Sequence, residues 1–233
     1  MELEGKQYIV TGGSSGIGKA IAKGLSDEGA SVLITGRDEK KVEEVAQGIG
    51  AVPLQADVAS SDDVERTYRA FRERFGRLDG LINNAGVGMR KALEELTPED
   101  IRRIHDVNVT GAAMMAAHAV PFFKEQNGGD IVNIGSTAGM KGMPGGSVYV
   151  SSKFALRGMS YCWQHELRPH NVRVMLVQPS EVPTAFDQEG RKERPEEAKK
   201  LRPEEIAHAV LSNLRMEGRG FIPELEVIAT NPW

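Results

Sequence analysis

The sequence alternates between short β-rich segments and longer helical segments, and this alternation restricts the fold more than any other feature. Seven segments are predicted to be strands, at 6–11, 31–35, 51–55, 78–83, 130–135, 171–178 and 221–228. Six segments between them are predicted to be helices, at 17–28, 38–47, 61–75, 97–124, 147–168 and 203–216. Strands that alternate with helices are typical of a parallel sheet covered by helices on both faces. We therefore expect an α/β fold built on a doubly wound, parallel, seven-stranded sheet.

Residues with known capping preferences set the predicted ends of the helices. Asp38 is expected to cap the second helix and Gly48 to end it. Ser61 is expected to cap the third helix, and Thr97 the fourth, with Pro98 at the first helical position. Pro169 is expected to close the long fifth helix, because proline cannot continue a helix.

The length and composition predict one domain without disulfides. The 233 residues contain neither an internal repeat nor an interdomain linker, so residues 1–233 are treated as a single domain. Cys162 is the only cysteine, which excludes an intrachain disulfide and favours a reducing, cytoplasmic compartment. We expect its side chain to be buried on a helix. We expect neither a signal peptide nor a membrane span, because the first residues lack a basic segment followed by an apolar run and no apolar run reaches about 20 residues. The net charge of −4, with both signs interspersed, argues against a nucleic-acid surface.

A glycine-rich turn follows the first predicted strand and opens the first predicted helix. Its glycines allow positive φ angles, and the backbone N–H groups and helix dipole favour a pyrophosphate. The spacing Gly-x-x-x-Gly-x-Gly differs from the commoner dinucleotide fingerprint, but its position in an alternating series supports the same use. The predicted cofactor-binding residues of this turn are Gly12, Ser14, Ser15, Gly16, Ile17 and Gly18.

The end of the second predicted strand favours NADP(H) over NAD(H). NAD sites usually place an acid there, whereas an arginine accommodates a 2′-phosphate. Here the strand ends in Thr35, Gly36 and Arg37, and Arg37 is suited to a phosphate. The alternative is that Arg37 is a solvated loop cation paired with a neighbouring acid.

Tyr149 and Lys153 form the predicted reactive pair. Residues four apart share one face of a helix, so the ammonium can approach the phenol and favour its ionised form. A tyrosine titrates near pH 10 without such help, which is too high for efficient proton exchange near neutrality. Ser136 ends the preceding strand, thirteen residues upstream of Tyr149.

Together these motifs resemble the short-chain dehydrogenase/reductase superfamily, in its compact single-domain Rossmann-type form. The resemblance covers nearly the whole chain. Its motifs are Thr-Gly-Gly-Ser-Ser-Gly-Ile-Gly at 11–18, Asp57-Val58, Asn-Asn-Ala-Gly at 83–86, Asn108 in Val-Asn-Val-Thr-Gly, Ser136, and Tyr149 with Lys153.

The resemblance implies a role for each matching residue. Tyr149 is expected to be the general acid or base, and Ser136 to orient the substrate carbonyl. Lys153 is expected to bind the nicotinamide ribose and lower the pKa of Tyr149, and Asn108 to hold a water of a proton relay. Further cofactor contacts are expected from Asp57, Val58, Asn84, Ala85, Gly86, Pro179, Val182 and Thr184.

The loops after the fourth, fifth and sixth strands are expected to line the substrate pocket. Candidate pocket residues are Met89, Met140, Met143 and Phe186, with nearby cations that suit a carboxylate. Residues 184–202 are predicted to form a mobile substrate lid, in which residues 187–202 are unusually polar for this family; the alternative is a solvated helix. Pro179-Ser180 departs from the family's usual Pro-Gly at this point.

Three functions remain open on the sequence. The first is an NADP(H)-dependent carbonyl reductase or alcohol dehydrogenase acting on a ketone, 3-keto ester or 3-hydroxy acid. The second is a 3-oxoacyl-(acyl-carrier-protein) or CoA thioester reductase, although Asn127 and His170 stand where that group usually carries basic docking residues. The third is a non-catalytic NADP-binding regulatory protein. The resemblance implies a homotetramer or homodimer, and no histidine spacing suggests a catalytic metal.

Overall fold

A parallel sheet forms the centre of the molecule, and its strands are the seven predicted segments. The structure is a computed structural model that describes residues 2–186 and 194–231. The strands are β1 (Gln7–Val10), β2 (Ser31–Gly36), β3 (Val52–Gln55), β4 (Gly80–Asn83), β5 (Gly129–Ile134), β6 (Val172–Pro179) and β7 (Glu224–Val227). Their order is β3-β2-β1-β4-β5-β6-β7, and every neighbouring pair is parallel. The predicted fold class is therefore confirmed.

Helices cover both faces of this sheet. They are α1 (Gly16–Asp27), α2 (Glu39–Ile49), α3 (Ser61–Phe75), α4 (Pro98–His105), α5 (Ala112–Gln126), α6 (Ser147–Leu167) and α7 (Pro203–Leu214). Apolar residues of α1, α2 and α7 pack on one face, and those of α3, α5 and α6 on the other. Successive residues of β1 alternate between the two cores: Tyr8 and Val10 join the first and Ile9 the second.

The strand order places a functional site at the carboxyl ends of the central strands. The chain runs from β1 outward to β3 and then returns to β4 on the other side of β1. Loops after β1 and β4 therefore diverge to opposite faces and leave a crevice, where open α/β sheets bind ligands.

Two predicted helix ends are corrected by one or two residues. The cap of α3 is Ser60, whose hydroxyl accepts a hydrogen bond from the Asp63 N–H, and not Ser61. The end of α2 is at Gly50, which has a left-handed φ of 71°, and not at Gly48. In both cases an equivalent residue type lies close by, so composition alone does not choose between them. Asp38 and Thr97 cap their helices as predicted.

The single helix predicted from Thr97 to about Lys124 is interrupted. A π-helical turn at Asp106–Gly111 joins α4 to α5. At Gly111 an added Cβ atom would lie 2.8 Å from both the side chain and the carbonyl oxygen of Val58, so the helix approaches this loop closely. Turns of this kind often occur at functional sites.

A buried ion pair stabilises the amino-terminal end of the sheet. The Arg173 guanidinium in β6 donates hydrogen bonds of 2.6 and 2.8 Å to the two carboxylate oxygens of Asp130 in β5. It also donates to the carbonyl oxygens of Leu214 and Met216, at and just beyond the end of α7. The pair therefore connects two strands to the last helix.

Cys162 is exposed on α6, so the expectation that it is buried is wrong. Within the described ranges, no helix combines the length and the apolar character needed to cross a membrane.

Candidate active site

One large cavity lies along the carboxyl ends of the strands. Its volume is about 830 Å³, and loops that follow β1 to β6 contribute to its wall. Most of the predicted site residues line it: Gly12, Ser14, Ser15, Gly16, Ile17, Arg37, Asp57, Val58, Asn84, Ala85, Gly86, Met89, Ser136, Met143, Tyr149, Lys153, Pro179, Val182, Thr184 and Phe186. Gly18, Asn108 and Met140 do not.

The glycine turn is held in place by the loop after β4. The Thr11 hydroxyl accepts hydrogen bonds from the N–H groups of Asn84 and Ala85, both at 3.0 Å. The Asn84 amide donates to the carbonyl oxygens of Thr11 at 2.9 Å and Gly12 at 3.2 Å. An added Cβ at Gly18 would overlap the Gly12 carbonyl group. Gly18 therefore permits the packing of the turn and does not itself reach the cavity.

The first turn of α1 can receive an anion. Ser15 is its N-cap residue but makes no side-chain cap hydrogen bond, and the first turn contains no acid. Gly12 and Gly16 have φ angles of +64° and +50°, which favour glycine. Thr184 packs against Gly16, where an added Cβ would lie 2.9 Å from the Thr184 methyl carbon. Free N–H groups and a helix dipole suit a pyrophosphate, so this part of the cavity fits a dinucleotide.

Two cations line the part of the cavity that lies beyond the end of β2. Arg37 and Lys41 both line it, and the Arg37 side chain forms no ion pair with the residues that the structure describes. Asp38 is occupied as the cap of α2, where its carboxylate accepts from the Lys41 N–H at 3.1 Å. Arg37 was predicted from the sequence, whereas Lys41 was not. The four-residue separation of these two cations was the available signal.

Tyr149 and Lys153 lie together at the other end of the cavity. The Lys153 ammonium nitrogen is 5.9 Å from the centre of the Tyr149 ring and donates to the Ile134 carbonyl oxygen at 2.9 Å. Only 5% of Lys153 is exposed, and this burial lowers its pKa from 10.5 to about 8. Ser136 caps the short 3₁₀ turn Thr137–Gly139 by accepting from the Ala138 N–H. The ring of Phe186 packs 5.7 Å from that of Tyr149.

Asn108 lies in the π-helical turn, behind the cavity wall. Its side-chain oxygen accepts from the Val87 N–H, and its amide donates to the Val87 carbonyl oxygen and the Ser152 hydroxyl, at 2.9 to 3.0 Å. Both side-chain donors are thus used within the protein. Asn108 positions the loop after β4 against the part of α6 that carries Lys153. A relay water at Asn108 stays a prediction.

The substrate end differs from the prediction at one residue. Met89, Met143 and Phe186 line the cavity, whereas Met140, which directly follows the 3₁₀ turn, does not. Lys141 and Gly142 line the cavity instead, so Met140 is removed from the pocket. Arg90 and Arg194 are further lining residues.

The departure at Ser180 has a structural counterpart. The Ser180 N–H donates to the Val227 carbonyl oxygen at 2.9 Å, and its hydroxyl accepts from the Ala229 N–H at 3.2 Å. The segment after β6 is therefore joined to the end of β7.

Residues 187–193 of the predicted lid lie outside the described residues. No group of three potential metal ligands is found in the described ranges.

The pKa of Lys153 predicts a specific pH dependence of stability. Folded Lys153 loses its proton near pH 8, whereas the unfolded chain keeps it to about pH 10.5. Between these values the unfolded state binds more protons, so wild type should gain stability relative to Lys153→Met as pH rises, by about 1.4 kcal/mol per pH unit. Urea unfolding of both proteins between about pH 7 and 10 measures this difference. A constant difference across the range would mean that folded Lys153 titrates as a solvated lysine.

The chain is similar to known dehydrogenases and reductases. A family model described as short chain dehydrogenase matches residues 6–195. An uncharacterized oxidoreductase of Methylorubrum extorquens is 41% identical over 189 residues, covering 78% of this chain and 75% of that protein. Alcohol dehydrogenase from the archaeon Thermococcus sibiricus, complexed with 5-hydroxy-NADP, aligns with a TM-score of 0.87 at 30% identity over 97% of both chains. The 3-ketoacyl-(acyl-carrier-protein) reductase from Brucella melitensis, complexed with NADH, aligns at 0.88 and 27% identity, over 99% of this chain and all of that one.

Proposed function

Because the chain belongs to the short-chain dehydrogenase family, we propose that it is an NADP(H)-dependent oxidoreductase that interconverts a ketone and a secondary alcohol. The observation that carries the proposal is the buried Lys153 beside Tyr149, in the same cavity as the glycine turn. Burial of a lysine without a carboxylate partner costs free energy, since burial disfavours its charged form, and a purely structural role does not require this cost.

Tyr149 is the proton donor in reduction and the proton acceptor in oxidation. When bound, the dinucleotide supplies a hydride to the carbonyl carbon or accepts one from the alcohol carbon. In reduction the Tyr149 hydroxyl transfers its proton to the carbonyl oxygen, so that the new C–H and O–H bonds give the neutral alcohol. Lys153 favours the resulting phenolate through its positive charge. The Ser136 hydroxyl lines the same end of the cavity and orients the carbonyl oxygen towards Tyr149.

The preference for NADP(H) over NAD(H) is supported by charge at the far end of the cavity. Arg37 and Lys41 are the cations there, and Asp38, an acid that also lines the cavity, caps α2. A 2′-phosphate interacts favourably with such a pair, whereas a free 2′-hydroxyl usually binds an acid.

Removal of either cation is expected to weaken NADPH selectively. Arg37→Met and Lys41→Met should each raise the KM for NADPH about tenfold with little change for NADH, as expected for one partly exposed charge-assisted contact. Lys40→Met is the matched control, because this neighbouring lysine is solvated and does not line the cavity. Equal effects on both cofactors, or equal efficiency of wild type with both, would contradict the preference.

The direct test follows the absorbance of NADPH with a panel of carbonyl compounds. The panel contains a 3-keto ester, an aromatic ketone, and acetoacetyl thioesters of CoA and of a carrier protein; a 3-hydroxy acid with NADP⁺ tests the reverse reaction. Turnover of free carbonyls or hydroxy acids is the expected result. Turnover of the carrier thioester alone would assign the protein to acyl-chain reduction. Tight NADPH binding without any turnover would contradict the enzymatic proposal.

A further inference from the structure

Two cations line the substrate end of the cavity. Arg90 lies in the loop after β4, and Lys141 in the loop after β5. Both belong to the same cavity wall as Ser136 and Tyr149. The glycine turn follows β1 and Arg37 follows β2. Both lie on the other side of the crevice between the loops after β1 and β4. Arg90 and Lys141 are thus at the end of the cavity away from the phosphate-binding elements.

The loops that carry these cations are joined to each other and to α6. The Lys91 N–H donates to the Gly145 carbonyl oxygen at 2.9 Å. The Arg90 guanidinium lies 3.8 Å from the sulfur of Met143, whose carbonyl oxygen accepts from the Gly146 N–H at the start of α6. Arg90 is therefore positioned beside the helix end that carries Tyr149 in its first turn.

The positive charge at this end is not neutralised by the described part of the chain. The neighbouring Lys91 pairs with Asp100 at 2.6 Å, but neither Arg90 nor Lys141 forms an ion pair within residues 2–186 and 194–231. Glu181, the acid that lines the cavity nearby, is engaged by Lys200 at 2.8 Å and Arg194 at 3.1 Å. Two cations that line a cavity and have no carboxylate partner among the described residues are suited to an anionic ligand.

We propose that the substrate is an oxo acid or hydroxy acid whose carboxylate is bound by Arg90 and Lys141. Its carbonyl or hydroxyl group then lies at Ser136 and Tyr149. This is possible because these two residues line the same cavity as the two cations. Met89, Met143 and Phe186 contact the apolar carbons between these two groups. This inference rests on the proposed oxidoreductase function and names the substrate class of that site.

The test compares a 3-oxo acid with its methyl ester, which keeps the carbonyl but removes the charge. At saturating NADPH, wild type should have the higher kcat/KM for the acid. In Arg90→Met and in Lys141→Met, the ratio of the two efficiencies should fall about tenfold, as expected for one charge-assisted contact. Added salt should lower the wild-type ratio in the same direction. Arg219→Gln, which removes a fully solvated cation outside the cavity, should leave the ratio unchanged.

Several results would overturn the inference and leave the oxidoreductase function intact. One is a wild type that reduces the ester as efficiently as the acid, and another is a ratio that both variants leave unchanged. Efficient reduction of acetoacetyl-CoA that these variants abolish would assign the cations to the phosphates of CoA. If no carbonyl is reduced, calorimetric binding of a 3-hydroxy acid to the protein with NADP⁺ still decides. Binding weakened about tenfold in Arg90→Met supports the carboxylate site, and absence of binding overturns it.

Discussion

Replacement of Tyr149 by phenylalanine is expected to lower kcat by about 10²- to 10⁴-fold while NADPH binds as it does to wild type. The variant keeps the ring that packs against Phe186 and loses only the hydroxyl group, so the cavity wall should be preserved. The size of the effect follows from the loss of general acid catalysis, since water would then have to supply the proton. Steady-state kinetics with the best substrate of the panel, together with NADPH fluorescence titration, measure both quantities.

Tyr161→Phe is the matched control for this variant. Tyr161 lies on the same helix, outside the cavity, and its hydroxyl donates to the carboxylate of Glu224. Its loss should leave kcat near the wild-type value. An unchanged kcat in Tyr149→Phe would exclude Tyr149 as the proton donor, whereas a loss of NADPH binding would indicate that the hydroxyl serves the cofactor site.

Replacement of Arg173 by methionine is expected to lower the free energy of unfolding by about 3–5 kcal/mol. The variant leaves the Asp130 carboxylate buried, with only 8% of the residue exposed, and without its partner. Burial already raises the pKa of Asp130 even with Arg173 present. The variant also loses the hydrogen bonds to the carbonyl oxygens at the end of α7. Urea unfolding near pH 7 measures the change.

The double variant Asp130→Asn/Arg173→Met separates the buried charge from the lost contacts. It removes both charges, so it should be more stable than Arg173→Met alone. Lower pH should also reduce the deficit of the single variant, because protonation of Asp130 removes the unpaired charge. Equal stability of the single and double variants would show that the contacts to α7, and not the charge, account for the loss.

Features that depend on local sequence were predictable. Each strand and most helix ends follow from apolar runs and capping residues, as the Asp38 and Thr97 caps illustrate. The glycine turn and the Tyr149–Lys153 pair were equally accessible, because each depends on a spacing within one turn or one helix. Structure that depends on interactions between residues close in the sequence can therefore be predicted from the sequence.

Features that depend on distant contacts were not predictable. The π-helical turn arises where α4 and α5 approach Val58 and the loop after β4, and no residue of Asp106–Gly111 signals it alone. Arg173 reads as an exposed strand residue until Asp130, 43 residues away, is brought beside it. Met140 and Met143 were both predicted to line the pocket, but only Met143 does, because the position of the loop's turn is not specified by hydrophobicity alone.

The hydrogen bonds between the loop after β4 and the glycine turn have a thermodynamic consequence. They order the backbone of that turn when the protein folds, so the entropy of ordering it belongs to folding and not to ligand association. A dinucleotide therefore meets a preorganised loop, and its intrinsic affinity is not reduced by the cost of arranging that loop. The binding free energy of its adenosine half then remains available to hold the reacting ring against the substrate, where it contributes to the rate.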